Sequence, residues 1–217
     1  MKIGGAIFDL DGTLLDSMWV WKNLVHNFLS ENYAIVPEKE FTASLFTLSM
    51  KQAAQRIKDK YLPDMTEEEI VRQINESVRV KYENIIQPKH GVKPFLFSLK
   101  CRGVRMCVAT LTRRELAEAA LRRLGMLDYF TCVLSCADIG RGKDVPDIYI
   151  KAHDILGTPM KDTYVFEDAL YAVKTAKSAG FKVVGIRDDS CEDQKSEIQA
   201  ICDIYINDYD DFRGMIT

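Results

Sequence analysis

The sequence predicts an α/β fold, a parallel sheet with helices on both faces, interrupted by an inserted all-α segment. Three observations carry this expectation. Short runs of β-formers alternate with helical stretches through the last two-thirds of the chain, and such alternation implies right-handed βαβ crossovers and a parallel sheet. Residues 3–8 form a further run that is apolar or small throughout, the pattern of a strand covered on both faces. Residues 16–90 break the alternation and read as helices.

The elements follow in order. Residues 3–8 are the first strand, expected at the centre of the sheet. Trp21, Leu24, Val25, Phe28 and Leu29 then share one apolar helical face. Residues 51–60 and 67–82 also read as helices, the second announced by Thr66 with Glu69 three positions on, a capping box. No strand is expected between Asp16 and His90. Residues 104–109 are the next strand, and a helix follows with Leu116, Ala120 and Leu124 in register until Gly125 stops it. Cys132–Ser135 reads as a strand, and Pro146 opens a helix that Gly157 closes. Residues 164–166, Lys182–Ile186 and Ile204–Ile206 complete the strands, with a helix at 169–179.

This pattern places an α/β core in residues 1–15 and 91–217 and an α-helical domain in residues 16–90. The insert is roughly 75 residues, within the usual small-domain size. Ser17 and the stretch Gln87-Pro88-Lys89-His90-Gly91 are the expected hinges, because Pro and Gly punctuate chain direction.

Bulk properties exclude several classes. With 217 residues, 47% apolar, the chain can fill a substantial core, and its formal charge of −3 leaves no basic footprint for nucleic acid or an anionic membrane. No apolar run is long enough to span a bilayer, and Asp9 and Asp11 interrupt the N-terminal run before a signal-peptide core forms. A soluble, cytoplasmic protein is expected, with no nucleic-acid or membrane partner; oligomeric state is not encoded legibly. The cysteines at 101, 107, 132, 136, 191 and 202 form no CxxC pair and have no histidine at zinc spacing. They are expected reduced and buried as small hydrophobes.

The chemistry gathers where strands end, the face on which parallel sheets bind ligands. Asp9, Asp11 and Thr13 follow the first strand, and Thr110, Leu111 and Thr112 follow the second. Asp138, Gly140, Arg141, Gly142 and Lys143 are expected in the loop after the third, and Glu167 and Asp168 follow the fourth. The competing, less favoured reading of Asp11-Gly12 alone is a hairpin turn between residues 3–8 and Leu14-Leu15. Taken with the later strand ends, Asp9, Asp11, Glu167 and Asp168 supply oxygen ligands suited to Mg²⁺. Lys143 supplies a compact positive charge and Thr110 a hydroxyl donor. Backbone N–H groups at Leu10, Asp11 and Leu111 are placed to cradle phosphoryl oxygens. Such a set suits phosphoryl transfer, where positioning and charge neutralisation carry most of the catalysis.

These residues resemble the haloacid dehalogenase superfamily, in the subfamily with a helical cap after the first strand, typified by β-phosphoglucomutase and phosphoglycolate phosphatase. Asp9-Leu10-Asp11-Gly12-Thr13, Val108-Ala109-Thr110, Gly142-Lys143 with Pro146-Asp147, and Val165-Phe166-Glu167-Asp168-Ala169 match its four motifs in order. The resemblance spans essentially the whole chain and implies a Rossmann-like core and a Mg²⁺-dependent phosphatase acting on a small phosphorylated metabolite. It implies that Asp9 is the nucleophile that becomes an aspartyl-phosphate. Asp11 would be the acid and then the base, its carbonyl reaching the metal. Thr110 and the Leu111 N–H would hold the phosphoryl group, with Lys143 bridging that group and Asp9. Asp168 would ligate Mg²⁺, with Glu167 acting directly or through water. By the same analogy Asp11 argues against dehalogenation, since a leaving halide needs no proton. Leu111, usually small or polar in relatives, and Asp144, in place of a common proline, are departures that remove no catalytic group.

Two rivals remain at this level. A phosphohexose mutase would return the phosphoryl group to sugar, yet no cap His and Lys set is evident beyond Lys22. A non-catalytic binding protein on the same scaffold is the other. Trp21 is expected to pack within the cap. Trp19 stands between packing and facing the site, and His26, His90, His153, Arg113 and Arg114 are assigned no chemistry.

Overall fold

The computed structural model describes residues 2–45, 48 and 50–213 of the chain; Met1 and residues 214–217, which sequence assigns to the core, lie outside the described residues. The chain divides into two compact units, Met1–Met18 with Ile86–Thr217, and Trp19–Ile85.

The larger unit holds strands β1 (Gly5–Phe8), β2 (Leu15–Asp16), β3 (Gln87–Pro88), β4 (Arg105–Thr110), β5 (Cys132–Ser135), β6 (Thr163–Glu167), β7 (Lys182–Ile186) and β8 (Ile204–Ile206). Six of them form one sheet in the order β5-β4-β1-β6-β7-β8, every neighbouring pair parallel. β1 is central, with Ile7 opposite Cys107 on one side and Val165 on the other. Strand alternation sends successive side chains to opposite faces. Ile7, Cys107, Ala109, Val165 and Val183 pack with Ile148, Tyr149, Ala152, Leu156, Val173, Ala176 and Ile198 from helices Asp147–Leu156, Leu170–Ser178 and Lys195–Ile201. Phe8 and Phe166 stack at 4.4 Å, and both meet Phe95 from the helix Val92–Cys101. Phe212, from the helix Tyr209–Arg213, closes on Phe95 and Phe166. Helices therefore cover both faces, as the nearly unbroken apolarity of β1 requires.

The structure corrects the sequence reading at several points. A two-stranded antiparallel ribbon pairs Leu15 with Pro88 and Asp16 with Gln87, where no strand was expected after Asp16. Strands of two residues carry no alternation to detect. Because β2 pairs with β3 and not with β1, Asp11-Gly12 is not a hairpin turn. Cys136–Ile139 is one turn of helix, not loop, capped by the Ser135 hydroxyl, which accepts from the Ala137 N–H. The helix Val92–Cys101 was not foreseen. Cys101 is exposed, and Cys132, Cys191 and Cys202 are only partly covered, so burial holds for Cys107 and Cys136; all six are free.

The smaller unit contains helices Leu24–Tyr33, Lys39–Ala43, Met50–Tyr61 and Glu67–Asn84. Phe28, Leu29, Ala54, Ile57, Ile70 and Ile74 are the centre of its core. The capping box forms as expected: Thr66 Oγ1 accepts from the Glu69 N–H, and Glu69 accepts from the Thr66 N–H. The single apolar face expected from Trp21 to Leu29 is divided, because Met18–Lys22 and Leu24–Tyr33 are separate helices flanking Asn23. Trp21 packs inside this unit, donating from Nε1 to the Tyr82 hydroxyl at 3.0 Å. Among the described residues, no helix is long and apolar enough to cross a membrane.

Candidate active site

The site is built where β1, β4 and β6 end side by side. β1 terminates at Phe8, and Asp9 follows, its N–H still donating to the Phe166 carbonyl of β6 at 2.9 Å. The chain then folds back on itself. The Leu14 and Leu15 N–H groups both donate to the Leu10 carbonyl, and the Gly12 N–H donates to the Leu15 carbonyl. Gly12 has φ +82°, and a Cβ there would stand 2.4 Å from Asp168 Oδ2. Only glycine fits that approach.

Asp9, Glu167 and Asp168 are buried, and one carboxylate oxygen from each lies within 4.8 Å of the others. Lys143, also buried, places its ammonium between Asp9 Oδ1 and Glu167 Oε1, the latter at 2.5 Å. The Tyr149 hydroxyl donates to the same Glu167 oxygen at 2.6 Å, and the Thr13 hydroxyl donates to Asp168 Oδ1 at 2.9 Å.

The electrostatics follow from burial and crowding. Desolvation pushes Asp9 well above the usual carboxylate range; Lys143 opposes this, and Glu167, Asp168 and Asp11 add to it. Desolvation and Glu167 push Asp168 up to about 7 against the Thr13 hydrogen bond. Burial works against the Lys143 charge, but Asp9 and Glu167 outweigh it and raise its pKa. Three buried acids thus face one buried cation. Oxygen-only donors with excess negative charge fit a hard divalent ion, which would supply the missing positive charge.

Asp11 has different partners. Its Oδ1 accepts from the Ser17 hydroxyl and its Oδ2 from the Thr112 hydroxyl, each at 2.6 Å. Asp9 is thus tied to the lysine, while Asp11 is held by two neutral hydroxyls that fix its orientation without adding charge. Thr110 is fully buried at the end of β4, and its hydroxyl accepts from the Thr112 N–H at 3.0 Å. Leu111 is 54% exposed.

The structure therefore brings together Asp9, Lys143, Glu167 and Asp168, with Asp11 joined to Thr112 next to Thr110. Tyr149, Ser17 and the orienting role of Thr112 were missed. Tyr149 lies on a helix whose sequence shows only an apolar stripe, and Ser17 reads as a hinge. Arg114 is engaged by Asp138 at 2.7 Å on the surface. His90 lies 3.7 Å from Asp210 and 4.0 Å from Asp208 at an exposed site.

Residues 6–186 match the family model described as haloacid dehalogenase-like hydrolase. The fructose-1-phosphate phosphatase YqaB of Escherichia coli is 26% identical over 86% of this chain and 97% of its own. A phosphorylated carbohydrates phosphatase of Thermotoga maritima is 26% identical over 90% of both chains. The crystal structure of CbbY from Rhodobacter sphaeroides in complex with phosphate superposes with a TM-score of 0.76 at 22% identity, covering 97% of this chain and 96% of that one. The family model covers most of the chain: the chain belongs to the haloacid dehalogenase-like hydrolase family.

Proposed function

We propose that this hydrolase is a Mg²⁺-dependent phosphatase of small phosphorylated metabolites, working through an aspartyl-phosphate on Asp9. The observation that carries this reading is the Asp9–Lys143–Glu167 cluster beside Asp168 at the mouth of the central strand. The names of the relatives support the substrate class, since both curated relatives described above are named as phosphatases of phosphorylated carbohydrates.

The residues divide the work. Asp9, Asp168, Glu167 and the Asp11 carbonyl would hold Mg²⁺, which supplies charge neutralisation for the phosphoryl group. Asp9 attacks phosphorus, and a covalent intermediate splits one slow hydrolysis into two steps. Lys143 bridges Asp9 and the phosphoryl oxygens and reduces the repulsion between two anions. Backbone N–H groups of Leu10, Asp11 and Leu111, with the Thr110 hydroxyl, receive the remaining oxygens. Asp11, oriented by Ser17 and Thr112, gives its proton to the leaving oxygen and later takes one from water. The residues of the helical unit, Trp19–Ile85, would choose the substrate, and the setting would be cytoplasmic.

A screen of phosphate esters with and without Mg²⁺ tests this. Phosphate release from sugar phosphates or related monoesters only when Mg²⁺ is present is the expected result. No release from any monoester under either condition contradicts it.

A further inference from the structure

Lys89 lies on the segment by which the chain returns from the helical unit, and no catalytic role above uses it. Its N–H donates to the Leu14 carbonyl at 3.0 Å, fixing the backbone beside the β2–β3 ribbon. Its ammonium makes three further bonds, to the Gly12 carbonyl at 2.7 Å, the Arg187 carbonyl at 2.5 Å and Asp188 Oδ2 at 2.9 Å. The side chain is mostly covered. An ammonium has three protons, and here each has an acceptor on a different residue.

The three acceptors matter for what they touch. Gly12 presents its Cα to Asp168 Oδ2, closely enough that a methyl group would collide. Thr13, the next residue, holds Asp168 Oδ1. Arg187 and Asp188 continue from β7, the strand beside β6, and Asp188 turns its other oxygen to the Ser190 N–H. Lys89 is therefore the tie between the Gly12–Thr13 turn, which shapes Asp168, and the end of a neighbouring strand.

Resting on the metal-site reading above, we propose that Lys89 is a positioning residue for the divalent-cation site, holding the Gly12 carbonyl so that Asp168 meets the ion in a fixed orientation. Its charge also adds positive potential near a cluster short of cations. One chain of contacts runs from Lys89 through the Gly12 carbonyl to Asp168. The segment returning from the helical unit is thereby coupled to the ligand that the turn supports. Groups that orient metal ligands commonly change affinity or activity by about 10- to 100-fold when removed.

The test is calorimetric titration of the full-length protein with Mg²⁺ alone, alongside steady-state hydrolysis of an aryl phosphate. Lys89→Met keeps the stem and deletes the charge. It should weaken Mg²⁺ binding by about 10-fold or more and lower kcat at fixed Mg²⁺, with KM for the ester nearly unchanged. Lys89→Arg, which keeps the charge and several donors, should recover most of the affinity. If Lys89→Met does not fold, Lys89→Gln should show the same direction with a smaller loss. Mg²⁺ affinity unchanged in the folded neutral variant overturns the inference alone, as does an effect confined to KM. A wild-type protein that binds no Mg²⁺ overturns the metal-site reading as well.

Discussion

Lys143 holds Asp9 and Glu167 together: one buried ammonium meets Asp9 Oδ1 and stands 2.5 Å from Glu167 Oε1. All three groups are nearly devoid of solvent contact. Removing one member of a buried ionic cluster leaves charges without a partner, which costs about 3–5 kcal/mol. Lys143→Met should lose stability of that order in urea unfolding at pH 8 without Mg²⁺, and should also lose hydrolysis. Added Mg²⁺ should return part of the stability and none of the activity.

Gly12 is constrained twice, by its φ of +82° and by Asp168 at 2.4 Å from the position of a Cβ. Gly12→Ala should therefore strain the backbone by about 1–3 kcal/mol and displace Asp168. Calorimetric Mg²⁺ affinity should fall by at least about 10-fold.

Thr66 caps the helix Glu67–Asn84 through the capping box with Glu69. Thr66→Ala should cost about 1 kcal/mol, measured as a lower urea midpoint, with kcat on an aryl phosphate unaltered.

Asp203 offers a pH-dependent test away from the site. Burial opposes its charge, but the Lys177 ammonium and the Val183 N–H outweigh that and hold its pKa below the ordinary value. The folded state therefore binds its proton less readily than the unfolded chain. Its stabilisation is present above the unfolded pKa of about 3.9 and is lost as pH falls through the lower folded value. The group is partly exposed, so screening limits the effect to about 0.5–1 kcal/mol. Asp203→Asn should be less stable than wild type at pH 7, and the difference should close by the acid end of a pH series.

The sequence showed the fold where elements were long enough to display a period. Cys132–Ser135 and Lys182–Ile186 form with the bounds their apolar runs indicate, and the Thr66–Glu69 cap announces its helix. The β2–β3 ribbon was hidden because Leu15–Asp16 and Gln87–Pro88 are each too short for alternation. The expected acids and Lys143 were legible because they lie at or beyond strand ends, Glu167 as the last residue of β6 and Lys143 past the turn of helix after β5, and a parallel sheet collects such residues at one edge. Tyr149, Ser17 and Lys89 were not. Tyr149 sits within an apolar helical stripe, and Ser17 and Lys89 sit in connecting segments. Their contacts are fixed by tertiary approach and leave no local pattern. Only the family resemblance separates the roles of Asp9 and Asp11 and joins Asp9 to Lys143, and spacing shows nothing of the Ser17 and Thr112 hydroxyls that hold Asp11.

The central claim is that Asp9 is the group that attacks phosphorus. It is tested most directly by Mg²⁺-supported hydrolysis of an aryl phosphate by Asp9→Asn, with folding checked by circular dichroism. A folded variant whose turnover falls by at least about a thousandfold is the predicted result. Turnover near that of the wild type would contradict it.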